Sequence, residues 1–102
     1  MRSKKNKKYY YYAMVSGSNL LIGDAFKSET DALIYAKGKL NSSKFGVFCI
    51  GSTRASGLAS SASPVFLSYY DSKHGSGDGY RAHYHPRITQ NGTSHYSLHC
   101  WY

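Results

Sequence analysis

The first half of the chain alternates short apolar segments with polar turns, in an order that predicts a β-hairpin followed by a helix. An aromatic, β-prone segment at 9–15 is separated from Leu20-Leu21-Ile22 by the turn-forming residues at 16–19. Ser28 then precedes two acids, and apolar residues follow at positions 32, 33, 35, 36 and 40, the spacing of one helical face. Because Ser28 can cap a helix whose first turn is acidic, we predict a helix over residues 28–39.

The middle of the chain continues with a strand, a helix and a second strand. The short apolar run at 45–50 contains aromatic and β-branched residues and is typical of a buried strand. The segment 53–62 is rich in Ala and Ser and predicts a second helix that ends before Pro64. Residues 65–70 are again apolar and aromatic, and we predict a strand there.

The end of the chain predicts a loop and then two strands. Residues 71–79 are rich in Gly, Ser and Asp and indicate a loop, a candidate lid from which His74 could approach a site. Strands are predicted at 80–85 and 94–102, joined through Asn91-Gly92. The order of elements predicts an α+β fold, with one or two helices packed on a mainly antiparallel β-sheet and a C-terminal β-hairpin that carries the site.

Length and charge indicate one domain preceded by a basic arm. A chain of 102 residues is long enough for a single compact domain, which we assign to residues 9–102. Thirteen Lys and Arg against five Asp and Glu give a net charge of +8, and five of those cations lie in residues 1–8. A dense run of like charges predicts a flexible arm, here one with nonspecific attraction for RNA. No apolar run approaches the roughly 20 residues of a membrane span, so we expect no membrane partner. The oligomeric state is left open by the sequence.

The distribution of carboxylates disfavours some kinds of catalysis. The acids are few, and none follows Gly79: Asp24, Glu29, Asp31, Asp71 and Asp78. Two-metal nucleases and paired-carboxylate glycosidases need clustered acids, so the sequence argues against both classes.

Histidines are concentrated where the acids are missing. His83 and His85 are two residues apart, and His95 and His99 are four apart. Residues separated by two or four positions on a strand point to the same side, so each pair shares a face. If the two strands pair across Asn91-Gly92, all four imidazoles converge, while the intervening residues face the core: Tyr84, Tyr96, Leu98 and Cys100.

Three interpretations of this histidine face compete. In a metal-independent ribonuclease, one imidazole takes the proton of a 2′-hydroxyl and another protonates the leaving oxygen, which suits a side chain that titrates near neutrality. Arg81 and Arg87 would then neutralise phosphate charge, with Tyr84 and Trp101 as further substrate contacts. Alternatively the same imidazoles bind zinc, with Asp78 or backbone carbonyls as supporting partners. In the third interpretation the histidines lie on a solvated strand face and only bond neighbours and water.

The C-terminal segment resembles a known class of domain. Tyr80-Arg-Ala-His-Tyr-His-Pro86, followed by His95-x-x-x-His-x-Trp-Tyr, is similar to C-terminal toxin domains of bacterial polymorphic toxin systems. The resemblance covers about 25 residues, and the helical part at 25–62 matches only in the pattern of its elements. Many such modules are similar to small ribonucleases of the barnase, EndoU, colicin and RelE type.

The resemblance implies a function, a site and a partner. It implies RNA cleavage without a cofactor, with His83, His85, His95 and His99 as catalytic residues. It also implies export as part of a larger system, action in a target cytoplasm, and an acidic immunity protein that covers the basic surface. The alternative from another class is a non-catalytic module that binds RNA or a protein through the arm and the same face.

Overall fold

The computed structural model describes residues 8–72 and 81–102, and over these ranges the chain forms two helices and a six-stranded sheet. The predicted α+β fold is confirmed. The predicted arm, apart from Lys8, and most of the predicted lid, with His74 and Asp78, lie outside the described residues. In chain order the elements are β1 (Tyr10–Ser16), β2 (Asn19–Ala25), α1 (Glu29–Gly38), β3 (Phe45–Cys49), α2 (Ser52–Ala62), β4 (Ser68–Asp71), β5 (His83–Pro86) and β6 (Cys100–Trp101).

Local sequence accounts for the first elements. β1 and β2 form the predicted hairpin, with Gly17 at a φ of +63° in the turn. The Ser28 hydroxyl accepts a hydrogen bond from the Asp31 backbone N–H at 3.1 Å, as expected of a helix cap. α2 begins one residue earlier than predicted, after Gly51, and ends before Pro64 as expected. Neither helix of the described chain is long and apolar enough to cross a membrane.

The order of the sheet places the last strand of the chain near its middle. The strands lie in the order β2-β1-β3-β6-β5-β4, and every neighbouring pair is antiparallel except β3 and β6. β6 therefore joins the N-terminal hairpin and β3 to the C-terminal strands. Its pairing is short, since it matches only two residues of β3 and two of β5.

Both helices pack on one face of the sheet, which we call the helix face. Ala32 and Ala36 in α1 and Ala55 and Ala59 in α2 have no exposed surface, and these small residues let the helices approach the strands closely. Leu98 and Cys100 are fully buried in the same cluster and Tyr84 packs against it, so the prediction that they face the core is confirmed.

The opposite face has its own small cluster around the end of the chain. Trp101 is fully buried there against Ala13 and Leu20. Gly46 on β3 makes this approach possible, because a Cβ at that position would lie 2.8 Å from Cζ3 of Trp101 and closer still to the carbonyl oxygen of His99. The space in front of Gly46 is therefore filled by the backbone and indole that precede the C-terminus.

The predicted strand over 94–102 is wrong in extent. Regular pairing covers only Cys100–Trp101, with an isolated bridge between Arg87 and His95 upstream. The backbone N–H of Leu98 donates to the carbonyl of Leu40 at 3.0 Å, which is the loop after α1 and not a neighbouring strand. Because this bond draws the chain away from β5, the two arms of the C-terminal hairpin pair only near its two ends.

Candidate functional site

The four histidine rings of the C-terminal segment lie in contact with one another, and we call them the histidine cluster. His83 and His85 alternate with Tyr84 along β5, so they point to the face opposite the helices. Ring centroids are 4.7 Å apart for His83 and His85, 4.3 Å for His83 and His99, 4.8 Å for His85 and His99, and 4.3 Å for His85 and His95. The structure thus brings together all four predicted site histidines.

Backbone carbonyls set the tautomers of three of these rings. Nδ1 of His83 lies 2.8 Å from the Arg81 carbonyl oxygen, and Nδ1 of His85 lies 2.8 Å from that of Leu98. His95 makes the same bond to the carbonyl of Thr93 at 2.8 Å. A carbonyl oxygen only accepts, so each Nδ1 carries a proton and donates it. In the neutral ring the lone pair then resides on Nε2, the arrangement typical of metal-binding histidines.

The Nε2 atoms of His83 and His85 face each other and a carboxylate. They are 3.1 Å apart, and Oδ2 of Asp71 lies 3.4 Å from the first and 3.5 Å from the second. Asp71 reaches this position because β4 runs antiparallel to β5, which pairs it directly with His83. Three atoms that act as acceptors in these tautomers therefore enclose a small space at the edge of the sheet.

Nε2 of His83, Nε2 of His85 and Oδ2 of Asp71 form a triangle whose dimensions match a tetrahedral metal site. With bonds of about 2.0–2.1 Å, tetrahedral Zn²⁺ holds its ligand atoms about 3.3 Å apart. The three observed separations of 3.1, 3.4 and 3.5 Å are close to that value, so one point lies about 2 Å from all three atoms. His99 also belongs to the group, since its ligand nitrogen lies within 4.8 Å of those of His83 and His85.

Burial keeps part of the cluster neutral. His83 and His85 are only 3% and 4% exposed. Burial, together with the neighbouring rings of His83 and His95, lowers the pKa of His85 to about 4. Burial and the rings of His83 and His85 lower the pKa of His99 to about 3. Both rings are therefore neutral at pH 7, which suits metal ligands and does not suit general acids.

Aromatic side chains hold the outer two rings in place. His95 stacks on Tyr69 with centroids 4.5 Å apart and an interplanar angle of 4°. His99 stacks on Trp101 at 5.0 Å and 11°. The cluster is thus closed on two sides by rings, and the half-buried His95 is its most peripheral member among those described.

The predicted substrate residues lie elsewhere or are already engaged. Arg81 donates from Nε to the Tyr102 carbonyl at 2.7 Å, and its guanidinium lies 5.3 Å from the centre of the Phe48 ring. Arg87 donates from Nη2 to the carbonyls of Gln90 and Gly92. Tyr84 packs on the helix face, and Trp101 is fully buried, so neither ring is placed to stack on a base beside the histidines. Strand alternation turns Tyr84 inward and the insertion of β6 buries Trp101, whereas Arg81 and Arg87 stay partly exposed, so the role of these residues in substrate binding stays a prediction.

Asp71 is the site residue that the sequence argument missed. The sequence predicts a loop at this position, and the acid-free end of the chain disfavours a carboxylate ligand. It is instead the last residue of β4, two positions after Tyr69, and both pair across to histidines of β5. The period of two that links Tyr69 to Asp71 is the signal that could have placed the carboxylate on the histidine side.

Comparisons with protein-family models, with curated proteins and with solved structures find no match to this chain. The resemblance of the C-terminal segment to toxin domains therefore stays a prediction, and the arrangement of the histidine cluster is the observation from which function can be argued.

Proposed function

We propose that this domain binds a divalent transition-metal ion, with Zn²⁺ the best fit, through Nε2 of His83, Nε2 of His85 and the carboxylate of Asp71. The observation that supports the proposal most directly is the triangle of these three atoms, whose edges of 3.1–3.5 Å are those of a tetrahedral site. This is the zinc alternative of the sequence analysis, with the Asp71 carboxylate as an additional direct ligand.

Electrostatics favours a cation at the centre of the triangle. With both Nδ1 atoms donating to carbonyls, two neutral rings would direct their Nε2 lone pairs at one another across 3.1 Å. A proton between them would make one ring an imidazolium; the Asp71 carboxylate favours that charge at His85, but burial and the neighbouring rings outweigh it and lower the pKa. A metal ion at the centre would bind both nitrogens and the carboxylate at once. Two imidazoles among the ligands favour Zn²⁺, Co²⁺, Ni²⁺ or Cu²⁺ over Mg²⁺ and Ca²⁺.

Metal content and affinity test the proposal. The purified chain should retain about one Zn²⁺ by elemental analysis, and the chelated protein should rebind it in calorimetry. His85→Ala should weaken binding by at least about 100-fold, because it removes a direct ligand. His95→Ala is the matched control, since it removes a ring of the same cluster whose nitrogen is not part of the triangle. A wild-type chain that binds no transition metal would overturn the proposal.

RNA cleavage by the metal-free cluster is the second candidate. One observation supports it: the half-buried ring of His95 lies 4.3 Å from the buried ring of His85, so a partly accessible imidazole contacts a second one. The low pKa values of His85 and His99 make them bases at neutral pH and leave the role of acid to another ring.

Incubation with RNA in EDTA separates the two candidates. Cleavage that persists in EDTA and disappears in His95→Ala would support the ribonuclease. Binding of RNA or of an acidic partner protein without cleavage would support the non-catalytic module. If the RNA stays intact and the protein holds one zinc ion, the result supports metal binding as the function of this site.

A further inference from the structure

His99 presents a polar atom that the fold leaves unsatisfied. Its Nδ1 is buried and has no hydrogen-bond partner among the described residues. A buried nitrogen without a partner costs about 1–3 kcal/mol, so such an atom in a native fold calls for a partner beyond the residues that the structure describes. The ring also lies beside the two histidine ligands, since one of its nitrogens lies within 4.8 Å of those of His83 and His85.

The position of His99 is set firmly from both sides. Its carbonyl accepts a hydrogen bond from the backbone N–H of Val47 at 3.1 Å, which ties the residue to β3. Its ring stacks on the buried indole of Trp101 and touches the rings of His83 and His85. A ligand atom must move by only about 1.5 Å to come from 4.8 Å to the separation of about 3.3 Å found in a tetrahedral site.

We propose that His99 is the fourth ligand, which makes the centre a closed site of three histidines and one carboxylate. This inference rests on the proposed metal binding. A centre with four protein ligands has no position for water or substrate, which is the arrangement of structural zinc and not of catalytic zinc. The ion would join β4, β5 and the residue before β6, the part of the sheet in which strand pairing is shortest. Its function is then to hold the end of the chain in the sheet.

Cobalt substitution tests whether the fourth position is filled. Co²⁺ replaces Zn²⁺ in such sites, and its visible absorption reports the number and type of ligands. Azide added to the Co²⁺ form of the wild type should leave the spectrum unchanged, because no position is open. In His99→Ala the position opens, so azide or added imidazole should bind and shift the bands. His95→Ala should behave as the wild type does.

The outcomes separate this inference from the proposal beneath it. A wild-type chain that binds no Co²⁺ or Zn²⁺ would remove both. A wild-type chain that binds Co²⁺ but whose spectrum shifts with azide would retain the metal site and overturn the closed coordination. An unchanged spectrum in His99→Ala would also exclude His99 as a ligand. Circular dichroism of the variant and rescue of its tetrahedral spectrum by imidazole control for misfolding.

Discussion

Substitution of Gly46 by Ala tests how the end of the chain is held in the sheet. The new Cβ would lie 2.8 Å from Cζ3 of Trp101 and closer to the carbonyl oxygen of His99, so backbone and indole must both move. Forced displacement in a packed core costs about 1–3 kcal/mol. Loss of the hydrogen bond from Val47 N–H to the His99 carbonyl adds about 1 kcal/mol. We expect a total destabilisation of about 2–4 kcal/mol, or a fall in Tm of about 10–25 °C for a domain of this size.

A second glycine provides the matched control. Gly57 lies within α2, and a Cβ there meets no atom within 4 Å. Gly57→Ala should therefore stabilise the protein by about 0.5–1 kcal/mol through helix propensity. Urea unfolding followed by tryptophan fluorescence measures both variants, and zinc titration of Gly46→Ala should show weaker binding because His99 is displaced. A free energy of unfolding for Gly46→Ala within about 0.5 kcal/mol of the wild type would refute the close approach.

Three further predictions follow from single groups. In EDTA, the free energy of unfolding should fall as the pH is lowered from about 6.5 towards 4, by about 1–2 kcal/mol for each of His85 and His99. The reason is that their folded pKa values lie below that of an unfolded histidine, so the unfolded chain binds more protons in that window. A pH-independent unfolding midpoint between pH 7 and 5 would contradict this. Ser28→Ala should cost about 1 kcal/mol in urea unfolding through loss of the α1 cap, whereas Ser28→Asp, which can also cap, should cost little. Burial raises the pKa of the Cys49 thiol and raises that of Cys100 to about 12, so iodoacetamide should modify neither in the native protein and both in urea, as read by mass spectrometry.

Prediction from sequence succeeded where the determining interactions are local. The hairpin turn at 16–19, the cap at Ser28 and the stop at Pro64 each involve residues a few positions apart, and the corresponding elements are present. The pairing of His83 with His85 on one face also follows from strand period alone.

Prediction failed where the chain meets distant parts of itself. The strand expected over 94–102 is interrupted because Leu98 bonds to the loop at Leu40, 58 positions earlier in the chain. Trp101 was expected beside a substrate and is instead buried, because β6 inserts between β3 and β5. No property of the C-terminal residues taken alone specifies that insertion, since it depends on Gly46 leaving room for it.

The sequence by itself determined that His83 and His85 share a face and that few acids lie near them along the chain. Only the tertiary structure decided what that face can bind. The antiparallel pairing of β4 with β5 brings Asp71 to His83, although the two residues are far apart along the chain, and the contact of β6 with β3 brings His99 to His83 and His85. Strand register is a long-range property, set by packing of the whole sheet, so the carboxylate and the third imidazole enter the site through the fold and not through any local pattern.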